Sequence, residues 1–516
     1  MQAHENIQTA EVFRASRDGL ENLISDLSGP SAGGWSEVEL EEHIFVVGRE
    51  LQRLLLQGHL NLRAARETRQ ESVTGADGIE RRSLEPGHTR QLATRFGTVT
   101  VTRIAYRAKG TVNLYPADAE LNLSENRHSL VLRKLAVQQA VRGSFDDAHA
   151  MLTEQCGSVI GKRQIEENTV SAARDIDTFY TSRAPVACTD DTLLVITSDA
   201  KGVVMRPEAL REATRKAAES KGGHTFATRL AGGEKQGRKR MATLAAVYDT
   251  DPVPRQAHDV FTLPTGTDVD IDGSVEETKG KATRVKGPVA FNKWLTGSIV
   301  EGTEEVITDA FDQADQRDPV RRRTWLVLVD GAPHQIDVIR AEAKRRKTKI
   351  HILIDIIHVV EYLWRATWAF HASGDTGAER WVVEKALLIL QGRSQDAAAE
   401  IITQADEAKL TPEQRKGAET CVNYLTTKRE FLAYDTALTK GWPIATGIIE
   451  GACRHLVGDR LDITGSRWGL AGAEAVLKLR ALHSNGHLDD YFAYHAEQEH
   501  RRVHQARYQD NFRLGA

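Results

Sequence analysis

The chain has 516 residues, of which 41% are hydrophobic and 27% charged, and its formal net charge at pH 7 is −4. This is ordinary composition for a soluble globular protein with several domains. No stretch approaches the roughly 20 apolar residues that a membrane span needs, and the first residues lack the basic and apolar segments of a signal peptide. Four cysteines are too far apart for a CxxC motif, and we expect them to stay reduced in a cytoplasmic protein. They are Cys156, Cys188, Cys421 and Cys453.

The modest net charge hides a basic block. Residues 201–245 carry eleven Lys and Arg against four Glu. Such a block suits phosphate groups, and Arg238, Lys239 and Arg240 near its end are candidates for DNA contact. On charge alone, a solvated basic loop is the simpler interpretation.

The N-terminal region, residues 1–87, is predicted to be mainly helical. Residues 36–67 show apolar side chains at helical spacing, preceded by a capping box of Ser36 and Glu39. The polar segment 68–87 is interpreted as a linker or loop. The following residues 88–107 are rich in Thr, Val, Ile and Tyr around Phe96-Gly97, which predicts a β-hairpin.

Three short helices are predicted near 129–142, 144–156 and 162–180, the last opening with Lys162 and Arg163. This layout fits a helix-turn-helix, so we assign 88–185 to a DNA-binding region and those two side chains to DNA contact. A helical linker without DNA contact explains the pattern equally well.

From residue 191 strands alternate with helices, which predicts an α/β fold with a sheet covered on both faces. Helices are expected within 286–315 and 335–346. The predicted strands are DTLLVITSDA, GVVMRP, ATLAAVYDT, TWLVLVDG and KIHILIDIIHV.

Residues 359–440 have almost no strand signal and are predicted as an all-α insertion. One of its helices is expected to begin at Thr411-Pro412-Glu413-Gln414. The insertion divides the predicted core into a first part, 186–358, and a C-terminal part, 441–516.

Three carboxylates stand out. Asp199 and Asp330 each follow a buried strand, where open α/β sheets place functional groups, although either alone is ordinary turn chemistry. Glu450 has apolar neighbours, so we expect it to be partly buried and paired or bound to a cation. An ion pair with Arg454 is the simpler alternative.

The order of these features resembles the RNase H-like core of DDE transposases. More narrowly, LIDIIHVVEYLW looks like the [C/D]xxH element of Mutator-related transposases, and IIEGACRHLVGDRLDITGSRW is similar to a segment of ISKra-type bacterial insertion-sequence transposases. The resemblance covers roughly residues 90–485. It depends on order and spacing, with 131 residues from Asp199 to Asp330 and 120 from there to Glu450.

The resemblance implies metal-dependent DNA cleavage and strand transfer. Two Mg²⁺ ions, with Mn²⁺ as a substitute, would serve both ends of an in-line displacement at a phosphodiester. Asp199 would bridge both ions, while Asp330 and Glu450 would each bind one. Asp355 and His358 would lie beside this site, and Asp355 is the best substitute if Asp330 is not a ligand. A helix cap with a structural histidine is the equal alternative for that pair.

Further DNA contacts are predicted for basic and aromatic residues after Glu450. A packed tryptophan and ordinary surface arginines are the safer interpretation of each. The candidates are Arg454, Arg460, Arg467 and Trp468.

Two apparent motifs are discarded. DVDIDGSVEETK begins like an EF-hand loop with Asp268, Asp270 and Asp272, but it has Lys279 where the bidentate Glu is required. GGEKQGRK lacks the lysine and hydroxyl residue of a P-loop.

The expected partners are the DNA ends of the mobile element, target DNA and a further copy of the chain, in a bacterial cytoplasm and on the nucleoid when bound. Two alternatives stay open. One is an RNase H-like nuclease without strand transfer, and the other is a non-catalytic DNA-binding protein derived from a transposase. A two-carboxylate glycosidase is disfavoured, since no aromatic sugar platform lies near the acidic residues.

Overall fold

The computed structural model describes residues 11–184, 190–220, 239–262 and 285–510. The chain divides into two compact units, which we call the terminal unit (Met1–Ser182 with Gly486–Ala516) and the central unit (Arg183–Asn485). Residues 441–516 are predicted from the sequence to belong to the core and its helical tail. The structure instead groups the last helix, Leu488–Val503, with the terminal unit.

The terminal unit combines helices with a long β-hairpin. Its elements before the C-terminal helix are α1 (Arg14–Ser28), α2 (Glu37–Arg66), β1 (Val73–Thr74), β2 (Glu80–Arg81), β3 (Ser83–Thr94), β4 (Gly97–Arg107), α3 (Pro116–Glu120), α4 (Leu130–Arg142), α5 (Phe145–Cys156), α6 (Lys162–Ala172) and α7 (Ile176–Ser182).

The first predicted helix and the hairpin are confirmed. The carboxylate of Glu39 accepts from the Ser36 N–H at 2.7 Å, and the Ser36 hydroxyl accepts from the Glu39 N–H at 3.4 Å, which completes the predicted capping box of α2. Strands β3 and β4 pair antiparallel. The segment 68–87 is only partly loop, because it contains β1, β2 and the start of β3.

Helices α4, α5 and α6 pack around a shared apolar core that includes Leu132, Leu152 and Ile165. The predicted third helix is divided, because α6 ends at Ala172 and α7 begins at Ile176. Asp175 in the break is buried and ion-paired with Arg502 at 2.7 Å.

The central unit contains a five-stranded sheet and most of the remaining helices. Its elements are β5 (Leu193–Val204), α8 (Glu212–Ser220), β6 (Lys239–Thr250), α9 (Ala257–Val260), β7 (Ala290–Ser298), α10 (Thr303–Arg317), β8 (Trp325–Val329), α11 (Pro333–Arg345), β9 (Ile350–Ile354), α12 (Ile356–Thr367), α13 (Thr376–Leu390), α14 (Ser394–Glu407), α15 (Pro412–Thr427), α16 (Tyr434–Thr439), α17 (Gly447–Ala452), a π-helical segment (Cys453–Gly458) and α18 (Leu470–Ser484).

The sheet is open and mixed, with the strand order β7-β6-β5-β8-β9. Strand β6 pairs antiparallel with both β5 and β7. Strand β8 pairs parallel with both β5 and β9. The α/β class predicted from the strand and helix pattern is therefore confirmed at this level. The all-α insertion is also present, and α15 begins at Thr411 as predicted.

Two strand predictions are wrong. The two strands predicted on either side of Asp199 form one strand, β5, because it pairs with β6 along its whole length. The polar break marks the place where the neighbour β8 ends. In addition, the first part of the helix predicted at 286–315 is β7. Gly297 lets this strand approach β6, since a Cβ there would lie 2.3 Å from Leu244 Cδ2.

The two faces of the sheet carry different helices. On one face, Phe311 of α10 contacts Trp325, the register partner of Leu194. Side chains alternate along a strand, so Asp199 lies on the other face from Leu194. There it contacts Cys453 of the π-helical segment. We call these the α10 face and the Asp199 face.

Of the described residues, 56% lie in helices and 17% in strands. Within the described residues, no helix is both long enough and apolar enough to cross a membrane.

Gly331, directly after β8, has a φ of +95°. A Cβ there would lie 3.0 Å from Ile354 Cδ1 and 3.1 Å from the Tyr424 hydroxyl. We expect Gly331→Ala to lower the free energy of unfolding by about 2–4 kcal/mol, since strained backbone and crowding add. Urea unfolding followed by tryptophan fluorescence measures this loss.

Gly374→Ala is the matched control, because Gly374 has a φ of +88° and nothing within 4 Å of a Cβ. It should lose only the backbone contribution, about 1 kcal/mol. Equal losses in the two variants would contradict the crowding at Gly331.

Candidate functional site

The register of the parallel strands aligns three aspartates. Thr197 pairs with Leu328 across β5 and β8, and Val329 pairs with Ile354 across β8 and β9. Continuing both registers puts Asp199 beside Asp330 and Asp330 beside Asp355. Neighbouring strands lie about 4.8 Å apart, so this row brings three carboxylates to one edge of the sheet. The edge is the carboxyl end of the parallel strands, where open α/β sheets bind ligands.

Asp199 is half-buried within β5. Its Oδ1 accepts from the N–H of Ala200 at 2.6 Å, and its Oδ2 accepts from the thiol of Cys453 at 3.3 Å. Burial raises the pKa of the Cys453 thiol, and the negative charge of Asp199 raises it further. The thiol therefore stays protonated and acts as a donor that orients this carboxylate.

Asp330 is half-buried at the end of β8, and its Oδ1 accepts from the Ala332 N–H at 2.9 Å. Its main-chain carbonyl accepts from the Tyr424 hydroxyl at 3.3 Å. Tyr424 belongs to α15 of the insertion and stacks on Tyr362 with ring centroids 3.9 Å apart. The insertion thus holds the strand end that carries Asp330.

Asp355 is completely buried and is the N-cap of α12. Its Oδ1 accepts from the Ile357 N–H at 2.7 Å, and its Oδ2 accepts from the Thr446 N–H at 2.9 Å and from the Thr446 hydroxyl. Both oxygens are therefore occupied within the fold. Asp355 is a helix cap, as the alternative interpretation predicted, and it also fixes Thr446, the N-cap of the helix that carries Glu450.

Glu450 lies on α17, and its side chain is more exposed than its apolar neighbours predict, although part of it is shielded from water. The adjacent Ile449 is buried, and Glu450 lies on the outward side of the same short helix. Partial shielding from water raises the pKa of Glu450, and the negative charges of Asp355 and Asp199 raise it further. Glu450 therefore lies within electrostatic reach of the aspartate row, although it is far from it along the chain.

The helix changes its hydrogen-bonding pattern after Ala452, less than one turn beyond Glu450. Residues Cys453–Gly458 form a π-helical segment, a rare conformation that is frequent at functional sites. This segment contacts β5 and places the Cys453 thiol against Asp199. Lys201 lies nearby, with its Nζ 3.6 Å from the position that a Cβ at Gly458 would take. One cation therefore accompanies the acidic residues on the Asp199 face.

His358 lies in the first turn of α12 and is half-buried. Its Nδ1 is 3.7 Å from Glu361 Oε2. The ring also lies close enough to Glu450 for its positive form to lower the pKa of that carboxyl. Of the predicted auxiliary pair, His358 has an accessible side chain beside Glu450, whereas Asp355 has a structural role.

The site offers carboxylate oxygens, which are the ligands that hard divalent cations prefer. Within the described residues, no three His, Cys, Asp or Glu side chains are grouped to hold one ion as they stand.

The predicted DNA contacts fall into distinct groups. Arg238 lies outside the described residues. Lys239 is exposed, with its Nζ 3.5 Å from Asp462 Oδ2. Arg240 donates to the carbonyls of Ile299, Ala209 and Val300, so its guanidinium is fixed by the fold. Arg454 and Arg467 are exposed. The EF-hand-like segment and almost all of GGEKQGRK also lie outside the described residues.

Arg460 and Trp468 are only 2% and 6% exposed. The Arg460 guanidinium lies 4.7 Å from the Trp468 ring centroid, and the indole N–H donates to the Leu461 carbonyl at 2.9 Å. Their predicted DNA contact is corrected to a packing role, because neither side chain offers an accessible surface. In the terminal unit, Lys162 and Arg163 are exposed and ion-paired with Asp146 and Glu167.

Sequence reasoning missed four residues that build the site. Cys453 and Thr446 lie within a few residues of Glu450, but nothing in their sequence context indicates a partner on another element. Tyr424 is far away in the insertion, as is Tyr434, whose hydroxyl donates to the Ile354 carbonyl at 2.8 Å. A tyrosine among helix-forming residues is normally predicted to be a core side chain. The sequence therefore does not indicate that the hydroxyls of Tyr424 and Tyr434 bind strand ends.

We expect Asp355→Asn to lower the free energy of unfolding by about 2–3 kcal/mol, since an amide cannot accept all three bonds and leaves buried donors unsatisfied. Chemical denaturation measures this loss. Asp375→Asn is the matched control, because Asp375 is the exposed N-cap of α13, where Asn caps equally well. An Asp355 variant as stable as this control would show that the buried carboxylate holds nothing.

No family model matches the chain, and no curated protein does. The functional assignment therefore depends on the residues and their geometry.

Proposed function

We propose that the chain is a DDE transposase whose central unit is an RNase H-like catalytic core. The observation that carries the proposal is the aspartate row at the end of the parallel strands, with Glu450 beside it. The strand order supports it as well. Counted along the chain, the sheet has the order 3-2-1-4-5, in which strands 1 to 3 pair antiparallel and strands 1, 4 and 5 pair parallel, and a mixed sheet of this kind supports the proposed core.

The charges of the site fit divalent cations. The carboxylates of Asp199, Asp355 and Glu450 are close enough that the first two raise the pKa of the third. Like charges held together by the fold are unfavourable, and a bound cation would relieve this repulsion. Asp199, Asp330 and Glu450 are the ligands we propose, because each is half-buried or exposed, whereas both oxygens of Asp355 are engaged.

Two bound Mg²⁺ ions would supply the charge that stabilises the phosphorane and the leaving oxygen of a phosphodiester displacement. In the first step a water oxygen forms a bond to phosphorus and the bond from phosphorus to the 3′-oxygen breaks, which leaves a 3′-hydroxyl and a 5′-phosphate. In the second step this 3′-hydroxyl attacks a target phosphodiester and displaces its 3′-oxygen. The net result is joined strands.

The remaining residues position these groups. The Cys453 thiol orients Asp199, and Asp355 fixes the N-terminus of the helix that carries Glu450. Lys201 is the cation on the Asp199 face that we assign to the DNA backbone. His358 lies beside Glu450, where its ring can donate to a phosphate oxygen. The proposed partners are the DNA ends of the mobile element, target DNA and a second copy of the chain.

The test is cleavage and joining of a supercoiled plasmid that carries the coding region with its native flanking DNA, assayed with Mg²⁺ and with EDTA. We expect Asp199→Asn, Asp330→Asn and Glu450→Gln each to reduce nicking by more than about a hundredfold, because each removes a charged ligand. EDTA should abolish the activity and added Mg²⁺ should restore it.

The matched control is Asp337→Asn, which changes an exposed acid on the helix that follows Asp330. It should cleave like the wild type. Nicked products without joined strands would identify a nuclease in place of a transposase. Full activity of the Asp199 variant would refute the proposed site.

A further inference from the structure

A polar cavity opens on the α10 face of the sheet. Its volume is about 380 Å³. Its walls come from the residue before α8, the start of β6, the first turn of α10 and the first turn of α11. The charged residues that line it are Arg211, Lys239, Arg240, His334, Glu304 and Glu305.

The cavity lies at the same end of the sheet as the aspartate row. Lys239, Met241 and Thr243 alternate along β6, and their register partners on β5 are Val204, Gly202 and Ala200. These are the residues of β5 that alternate with Asp199, so the cavity lies on the opposite face from it. His334 reaches the cavity from the first turn of the helix that follows Asp330.

Arg211 is the least compensated charge of this cavity. Two other cations close to it, Arg215 and Lys216, lie 4.0 Å and 2.7 Å from carboxylates of their own helix. Within the described part of the chain, the exposed Arg211 side chain makes no ion pair or hydrogen bond. It also precedes the N-terminus of α8, where the helix dipole disfavours a cation.

Arg240 adds a second, fixed positive charge. Its guanidinium is held by three main-chain carbonyls, none of which neutralises it. Burial lowers the pKa of Arg240, and the positive charge of Arg211 lowers it further, so the two cations repel each other. Of the two carboxylates in the lining, Glu305 is engaged with the Gly302 N–H at 3.0 Å at the start of α10.

We propose that this cavity binds a backbone phosphate of DNA, with Arg211 as its principal ligand and Lys239, Arg240 and His334 around it. The inference rests on the proposed function, because it assumes that DNA crosses this edge of the sheet. It adds an anchoring point on the α10 face, away from the reacting phosphodiester. Arginine suits this role because its donors form a fixed fork.

The experiment measures DNA binding without catalysis. Fluorescence anisotropy measures binding of the full chain to a labelled duplex of mixed sequence, in EDTA and over a range of salt concentrations. The duplex has about 40 base pairs, so that it spans several helical turns. Arg211→Gln should weaken binding roughly tenfold at low salt. It should also reduce the slope of log K against log salt by about 0.9, the value for one lost phosphate contact.

Arg215→Gln is the matched control, an exposed arginine nearby with a carboxylate partner, and its slope should stay at the wild-type value. Arg211→Lys should keep the slope, because a lysine still neutralises one phosphate. An unchanged slope in Arg211→Gln, or an equal decrease in Arg215→Gln, would overturn the cavity assignment while leaving the transposase proposal intact. A wild-type chain that binds no DNA would overturn both.

Discussion

The register of the three parallel strands determines where the chemistry of the central unit is found. Asp199, Asp330 and Asp355 follow three separate apolar runs, and they align only because β5, β8 and β9 pair as they do. A slip of one residue in either pair would turn a strand-end carboxylate to the other face of the sheet. The buried pairs Ile196–Val327 and Val329–Ile354 oppose such a slip, since it would break the packing of these side chains on their own face of the sheet.

The helical insertion braces this edge from outside the sheet. The Tyr424 hydroxyl donates to the carbonyl of Asp330, and the Tyr434 hydroxyl donates to the carbonyl of Ile354. Both carbonyls lie at the ends of strands of the central sheet. Burial raises the pKa of both phenols, which therefore remain donors at neutral pH. The insertion thus stabilises Asp330 and Ile354, two strand-end residues that lie outside it in sequence.

Sequence patterns could predict the parts of this arrangement that depend on local physics. Runs of apolar residues before Asp199 and Asp330 identified buried strands with polar ends, and Ser36 and Thr411 identified helix starts. The role of Asp355 could not be separated from an ordinary cap, because its second partner, Thr446, is brought to it only by the insertion.

The errors have the same origin. Strand β7 was predicted as helix from its local sequence. It forms a strand because its pairing with β6 outweighs that weak local preference. The packed tryptophan that the safer interpretation predicted is present at Trp468, whereas the burial of Arg460 was missed because a sequence does not show that its guanidinium lies over the indole ring. The exposure of Glu450 was underestimated because apolar neighbours on a helix point to a different side from the residue between them.

The insertion leaves and rejoins the core at a single point. The Ile356 N–H donates to the Ile444 carbonyl at 3.0 Å, and Asp355 holds Thr446 directly beside it. These contacts hold the two ends of the insertion together where it joins the core, and we call this place the neck of the insertion. Because closing a longer loop costs only slightly more entropy, helices could be added to or removed from the far end of the insertion without displacing Glu450. The position of Glu450 therefore does not depend on the length of the insertion beyond its neck.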